Sequence, residues 1–465
     1  MSCSVETALS YAESQLSATL EALKELARIP GVSADGPPNP ELERSAEHVA
    51  KWMTDAGLEN VEILRLDGVH PYVYADWLHA EGAPTALLYA HHDVQPPGRP
   101  SHWQSPAFEP TERDGRLYGR GVVDDKAGAA IHFAALAAYL KNGGLPINVK
   151  VIIDGEEEIG SEHLSVFLEA YRDRFDADVI VLTDTANLDS GIPSITYGLR
   201  GIVVVDVEVA AIDHPLHSGM WGGPVPDAPL AMCRLLAGLI DDDGRIALPG
   251  LYDNVAALDD DVRRRLAELP YDEAQFRRDA GFLDGVKFAG EAECGPYEQM
   301  WHRPAISISA LEAAPLKGAS NQIVPAARAR IGIRTVPDLD SKDVADLLCT
   351  ALEERAPWGV QVTTTVKATG GWWSTEPTGP AFDAAERALE AGFGKKSVYI
   401  GCGGSIPFVE PFARVLGGVP ALLIGLEDPI CNAHSENESL LLSDFAKAIN
   451  SVVHLYQELA SLERT

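Results

Sequence analysis

Between residues 85 and 185, short apolar runs alternate with segments whose apolar positions recur at helical spacing. Buried parallel strands read as unbroken apolar runs and crossover helices as a 3.6-residue period, so this texture predicts βαβ units around a mostly parallel sheet. Strands are expected over 85–90, 149–153 and 178–182, and a helix rich in small residues over 127–140. Each expected strand runs into a polar motif: Ala90-His91-His92-Asp93-Val94, Asp154-Gly155-Glu156-Glu157-Glu158, and Leu182-Thr183-Asp184. In open α/β sheets the binding crevice lies at the carboxyl ends of the strands, so the three motifs are expected at one edge. The helix starts directly after Asp124-Asp125-Lys126, and its N-terminal dipole favours an anionic neighbour.

From about Gly201 the pattern changes. Residues 202–209, 305–311 and 327–336 alternate like strands, and 227–240 reads as an amphipathic helix. This predicts an α+β insert. After Gly370-Gly371-Trp372-Trp373 a helix is expected over 381–392 and a strand over 421–425, shortly before His434. The main domain is therefore expected to be discontinuous, with 1–200 and 378–465 flanking an insert at 201–377. Leu16, Leu20, Leu23 and Leu26 give the N-terminal segment an amphipathic helical pattern, with no basic stretch followed by an apolar one.

Charge narrows the partners. With 69 acidic against 37 basic residues the net charge is -32, which disfavours nucleic acid and anionic membranes and points to small-molecule clients. The most apolar late stretch, 415–426, is too short and too rich in Gly and Pro to span a bilayer. The 6 cysteines (Cys3, Cys233, Cys294, Cys349, Cys402, Cys431) are scattered, which fits a reducing cytoplasm better than a disulfide framework or a zinc knuckle.

The chemistry concentrates in the three strand-end motifs, in Gly119-Arg120-Gly121-Val122-Val123-Asp124-Asp125-Lys126, and in Asn432-Ala433-His434-Ser435. Carboxylates in such numbers raise one another's pKa and cannot share a pocket without a cation. Combined with imidazoles, they form the donor set that zinc or manganese accepts. Together with Tyr197-Gly198-Leu199-Arg200-Gly201, His217-Ser218-Gly219 and Gly403-Gly404-Ser405-Ile406-Pro407, these motifs resemble, over nearly the whole chain, the M20 metallopeptidases. Within that family the texture is nearest the cytosolic carnosinase-like dipeptidases, with desuccinylases and deacetylases more distant. The resemblance implies a zinc-peptidase-like α/β catalytic domain carrying an inserted α+β lid and dimerisation domain. It also implies two divalent ions per subunit, zinc foremost with manganese or cobalt as alternatives.

At a strand end, residues two apart point the same way, so His91 reads as a metal ligand and Asp93 as the carboxylate that orients it, while His92 faces the other side. An isolated histidine there would be an ordinary hydrogen-bonded one, and His92 is left to that reading. The resemblance implies that Asp124 bridges the two ions, with a cis peptide after it. It makes Glu157 the general base and Glu158 a ligand, with Gly160-Ser161 fixing the register. It pairs Asp184 with His91 on one ion and His434 with Glu158 on the other. Read alone, Asp-Asp-Lys would be a helix cap and the triple glutamate a solvated helix start. By the same resemblance His217 stabilises the oxyanion, from the neighbouring subunit in dimeric members, and Arg334 grips a substrate carboxylate. Asn321 and Ser405 are candidates on the substrate side. The expected activity is two-metal hydrolysis of amide bonds in dipeptides or similar small peptides by a homodimer. The alternatives are N-acyl amino acid deacylation or desuccinylation with the same metal chemistry, and a non-catalytic homologue that keeps the fold.

Overall fold

The computed structural model describes residues 3–161, 163–406 and 408–462; Pro407, which ends one of the glycine-rich motifs, lies outside them. A nine-stranded sheet forms the larger layer. Its middle consists of four parallel neighbours in the order Asn148–Asp154, Thr85–His91, Val179–Leu182, Ala421–Ile424. Antiparallel partners flank them: Glu59–Leu64 and Tyr72–Trp77 on one side, Ser194–Leu199 and Trp373–Ser374 on the other. Val398–Cys402 also pairs with Ser194–Leu199, in parallel.

The central strands are buried on both faces because helices cover both. Ala86, Leu88 and Ala90 pack with the small-residue helix Lys126–Leu140 and with Leu442–Leu459 behind it. Leu87 and Tyr89 point the other way, onto Phe408 and Phe412. Burying each Leu or Ile side chain in these layers contributes about 1.5–3 kcal/mol. The strands run slightly further than their apolar runs. Thr85–His91 and Asn148–Asp154 pair in parallel to their last residues, His91 opposite Asp154, so backbone hydrogen bonding carries the polar ends into the sheet.

The insert contains a four-stranded antiparallel sheet in the order Ala305–Glu312, Ala326–Thr335, Gly201–Ala210, Gln361–Gly370. Val203, Val205, Val207 and Val209 are buried at every second position and meet the helices Ala228–Ala237 and Ser341–Glu354. Asp227 and Asp340 cap those helices, each accepting from backbone N–H groups of the first turn. The first helix therefore begins after Asp227 rather than at it. Helix Pro296–His302 returns to the large sheet, where Trp301 packs with Ile400 and Leu188. Gly401 permits that approach, since a Cβ there would sit 2.5 Å from that of Trp301.

Candidate metal centre

The sheet delivers the polar motifs to one edge. His91 is the last residue of its strand, Glu157 and Glu158 lie on the tight turn Glu157–Ile159, which begins three residues after Asp154, and Asp184 lies two residues after Leu182. Asp124 precedes the helix Lys126–Leu140, and the peptide bond between Asp124 and Asp125 is cis. His434 comes from the loop after Ala421–Ile424.

Asp124 is the hub. Its Oδ1 lies 3.0 Å from His91 Nε2 and its Oδ2 lies 2.9 Å from His434 Nε2. His91 Nε2 also lies 3.6 Å from Asp184 Oδ1 and 4.0 Å from Glu157 Oε2, and His434 Nε2 lies 3.1 Å from Glu158 Oε2. One imidazole thus faces each oxygen of one carboxylate, with a further carboxylate on each side. In the overlapping groups His91, Glu157, Asp184 and His91, Asp124, Glu158, the donor atoms all fall within 4.8 Å of one another.

The supports are as specific as the donors. Asp93 Oδ1 lies 3.3 Å from His91 Nδ1, and its two oxygens accept from the backbone N–H groups of Glu157 (3.2 Å) and Glu158 (3.0 Å). A single buried carboxylate therefore orients the imidazole and shapes the glutamate turn. Asp125 accepts from the His91 N–H at 3.3 Å. The triple glutamate diverges: Glu156 turns inward to accept from Tyr72 and from the His163 backbone, leaving Glu157 and Glu158 for the cluster. His92 is a buried structural histidine bonded to Ser45 Oγ and Pro71 O, and burial lowers its pKa to about 4.

Electrostatics tests whether the residues fit a cation. Burial raises Glu157, and the Asp184 charge adds to it; burial and then Asp124 bring Glu158 to about 7. Burial pulls the imidazoles down, yet the surrounding carboxylates more than reverse it, holding His91 well above its usual range and His434 at about 11. Asp124 is lowered because hydrogen bonds from His434 and His91 outweigh its burial. The carboxylates around the two imidazoles favour positive charge in the cluster. Divalent ions would supply that charge with neutral imidazole donors, so the set fits zinc or a similar ion.

The remaining residues singled out in the sequence lie in two other places. Arg334, half-buried on Ala326–Thr335, donates to Ser405 Oγ at 3.1 Å, and Ser405 donates to the Arg200 carbonyl at 2.6 Å. Burial lowers both guanidiniums, Arg200 to about 10 with the Arg334 charge adding to it. Among the described residues neither forms an ion pair with a carboxylate. His217 and Asn321, both exposed, are brought together elsewhere, at the short ribbon formed by Leu216–His217 and Gln322–Ile323, with Asn321 just before its second strand. The Asn321 carbonyl accepts from the N–H and the hydroxyl of Ser218, and His217 Nδ1 accepts from the Gly219 N–H. No hydrogen bond or ion pair joins either residue to the acidic cluster among the described residues.

Sequence reasoning missed three participants. Glu438 is fully buried, ion-paired with Arg120 at 2.6 Å, and accepts from the N–H groups of Gly121 and Val123, which fixes the turn that presents Asp124. Gln95 holds Glu158 through three hydrogen bonds. Glu427 places its carboxylate within 4.8 Å of those of Asp124 and Asp184. Its signal was position: it lies three residues beyond the strand Ala421–Ile424, as the other site carboxylates follow theirs.

The chain is similar to known proteins over most of its length. The model of peptidase family M20/M25/M40 matches residues 87–458. A cysteinylglycine-S-conjugate dipeptidase of Corynebacterium striatum is 35% identical over 410 residues, covering 86% of this chain and 87% of that protein. A human Beta-Ala-His dipeptidase is 29% identical over 450 residues, covering 94% and 86%. The crystal structure of human carnosine dipeptidase 1 superposes with a TM-score of 0.87 at 27% identity, covering 98% of this chain and 99% of that one.

Proposed function

The chain belongs to peptidase family M20/M25/M40, and from that premise we propose that it is a two-metal dipeptidase in which Glu157 is the general base. The observation that carries this reading is the division of Asp124 between His91 and His434, each imidazole backed by a second carboxylate. It supports one ion held by His91, Asp124 and Asp184 and another by Asp124, Glu158 and His434. Zinc is the ion we propose, since it accepts nitrogen and carboxylate oxygen donors together. Bound there, the ions would supply Lewis acidity to the attacking water and to the scissile carbonyl.

The chain's own residues do the rest. Glu157 takes the proton of the attacking water and returns it to the leaving amine, and Asp93 keeps it in place through the Glu157 and Glu158 N–H groups. Arg334, supported by Ser405 and adjoined by Arg200, receives the substrate's C-terminal carboxylate, so that binding far from the scissile bond positions the reacting carbon. Among the described residues neither guanidinium has a carboxylate partner, which supports that role. Replacing Arg334 with Met is expected to cost substrates with a free C-terminal carboxylate about 2–5 kcal/mol in kcat/KM and to spare the corresponding amides. Equal losses on acids and amides would make Arg334 structural.

We assign oxyanion stabilisation to His217 of a neighbouring subunit in a homodimer. Its exposure on a ribbon unconnected to its own acidic cluster supports this, as does the open edge strand Ala305–Glu312, where Ile308 and Leu311 are 41% and 56% exposed. His217→Ala and Glu157→Gln should each be nearly inactive alone. Mixed dimers formed by subunit exchange contain one intact site each, so an equal mixture should recover roughly a quarter of wild-type activity. No recovery, with exchange verified by mass, would reject the shared site.

All six cysteines are unpaired, which supports a cytoplasmic setting, and no helix among the described residues is long and apolar enough to cross a membrane. Assaying the metal-loaded enzyme on dipeptides beside acetyl and succinyl amino acids tests the reading. Dipeptides should be the better substrates; turnover confined to the acyl amino acids would replace the dipeptidase with a deacylase.

A further inference from the structure

A cavity of about 560 Å³ lies beside the acidic cluster, between the strand Val398–Cys402 and the returning segment of the insert. Its far wall is aromatic. Tyr297 stacks on Trp301 with centroids 4.9 Å apart, and Tyr271 meets Tyr297 edge-on at 5.7 Å and Phe276 at 6.0 Å. Among the described residues no lysine, arginine or histidine lines it, so it offers an anion no cationic partner.

Glu427 belongs to both regions. It lines the cavity, and its carboxylate lies within 4.8 Å of those of Asp124 and Asp184. The other acidic lining groups already accept hydrogen bonds from the protein: Asp428 is paired bidentately with Arg116, Asp272 caps the helix Glu273–Asp279, Asp279 accepts from Gln275, and Asp189 accepts from the Ser190 N–H. Glu427 forms no ion pair among the described residues. A carboxylate so placed, at the mouth of an aromatic chamber and beside the hydrolytic centre, is left to meet a cation carried by the ligand.

We propose that this cavity receives the substrate's first residue, with Glu427 accepting from its free α-ammonium and the Tyr271–Tyr297–Trp301 wall taking a large apolar side chain. The inference rests on the dipeptidase reading and gives that reading a substrate class. In an α-dipeptide the ammonium nitrogen is only about 2.5 Å from the scissile carbonyl carbon, so its acceptor must adjoin the hydrolytic centre, as Glu427 does. The opposite charge has its own place. Cys402 and Gly403 line the cavity, while Ser405 on the same turn holds Arg334. A zwitterionic dipeptide is thus met by an anion at one end and a cation at the other. An N-acyl amino acid lacks the ammonium and leaves Glu427 buried against a neutral amide, which the site rejects.

The test compares L-phenylalanine with N-acetyl-L-phenylalanine as calorimetric ligands of the metal-loaded enzyme, and Phe-Gly with Ala-Gly as substrates. Wild type should bind the free amine more tightly by about 30-fold or more and should favour Phe-Gly. Glu427→Gln should bring the two ligands within a few-fold of each other while keeping the wild-type metal content. Tyr271→Ala, at a partly exposed position, should reduce the preference for Phe-Gly over Ala-Gly and leave the preference for the free amine. Equal binding of the two ligands by wild type, an unchanged preference in Glu427→Gln, or loss of a metal ion from that variant would overturn the proposal. If wild type hydrolyses dipeptides and Glu427→Gln keeps its amine preference, only this inference falls. If wild type cleaves no dipeptide, the reading beneath it falls instead.

Discussion

Glu157→Gln is expected to bind as much divalent metal as wild type and to hydrolyse dipeptides slower by about 10² to 10⁴-fold or more, the range for loss of an essential acid–base group. Glutamine matches glutamate in shape, so the turn Glu157–Ile159 should persist, because Asp93 holds it through backbone N–H groups rather than through the Glu157 side chain. Metal content by elemental analysis, measured beside turnover, separates a missing base from a missing ion. Near-normal turnover in the metal-replete variant would remove Glu157 from the mechanism.

Asp124→Asn should have the opposite signature. Its two oxygens face the two imidazoles at 3.0 and 2.9 Å, so the amide replaces one acceptor with a donor and weakens both ion sites together. Metal content should fall below two ions per chain, with activity lost at stoichiometric zinc. For wild type, free metal at a hundred times Kd stabilises the native state by about 2.7 kcal/mol, which a thermal unfolding scan reads directly. The variant should show little of that zinc-dependent shift. An undiminished shift would mean that Asp124 does not hold the metal.

The parts of the site legible in the sequence are those whose signal is local. Apolar runs that lead into His91, Asp154 and Thr183-Asp184 announce parallel strands delivering polar groups to one edge, and side-chain alternation separates His91 from His92. The resemblance contributed the register of Glu157 and Glu158 and the bridging place of Asp124. What stayed hidden depends on contacts across the chain. Glu438 meets Arg120 from more than 300 residues away, and nothing near it in sequence distinguishes it from a solvated glutamate. Glu427 is separated from its strand by Gly425-Leu426, so its motif does not start where the apolar run stops. The flanking strands Glu59–Leu64 and Tyr72–Trp77 were not read because one is fully buried at only its last position and the other, although almost wholly buried, contains Asp76. The aromatic cavity was illegible for the same reason, since Tyr271, Tyr297 and Trp301 meet the sheet only after the insert folds back onto it.

The most direct test of the two-metal account is a titration. Metal is stripped from the enzyme by chelation, zinc is added back in steps, and Phe-Gly hydrolysis and bound zinc are followed together. The account predicts no turnover in the metal-free protein and a rise that levels off at two bound ions per chain. Turnover that persists in metal-free protein, or that reaches its full value at one bound ion per chain, would contradict it.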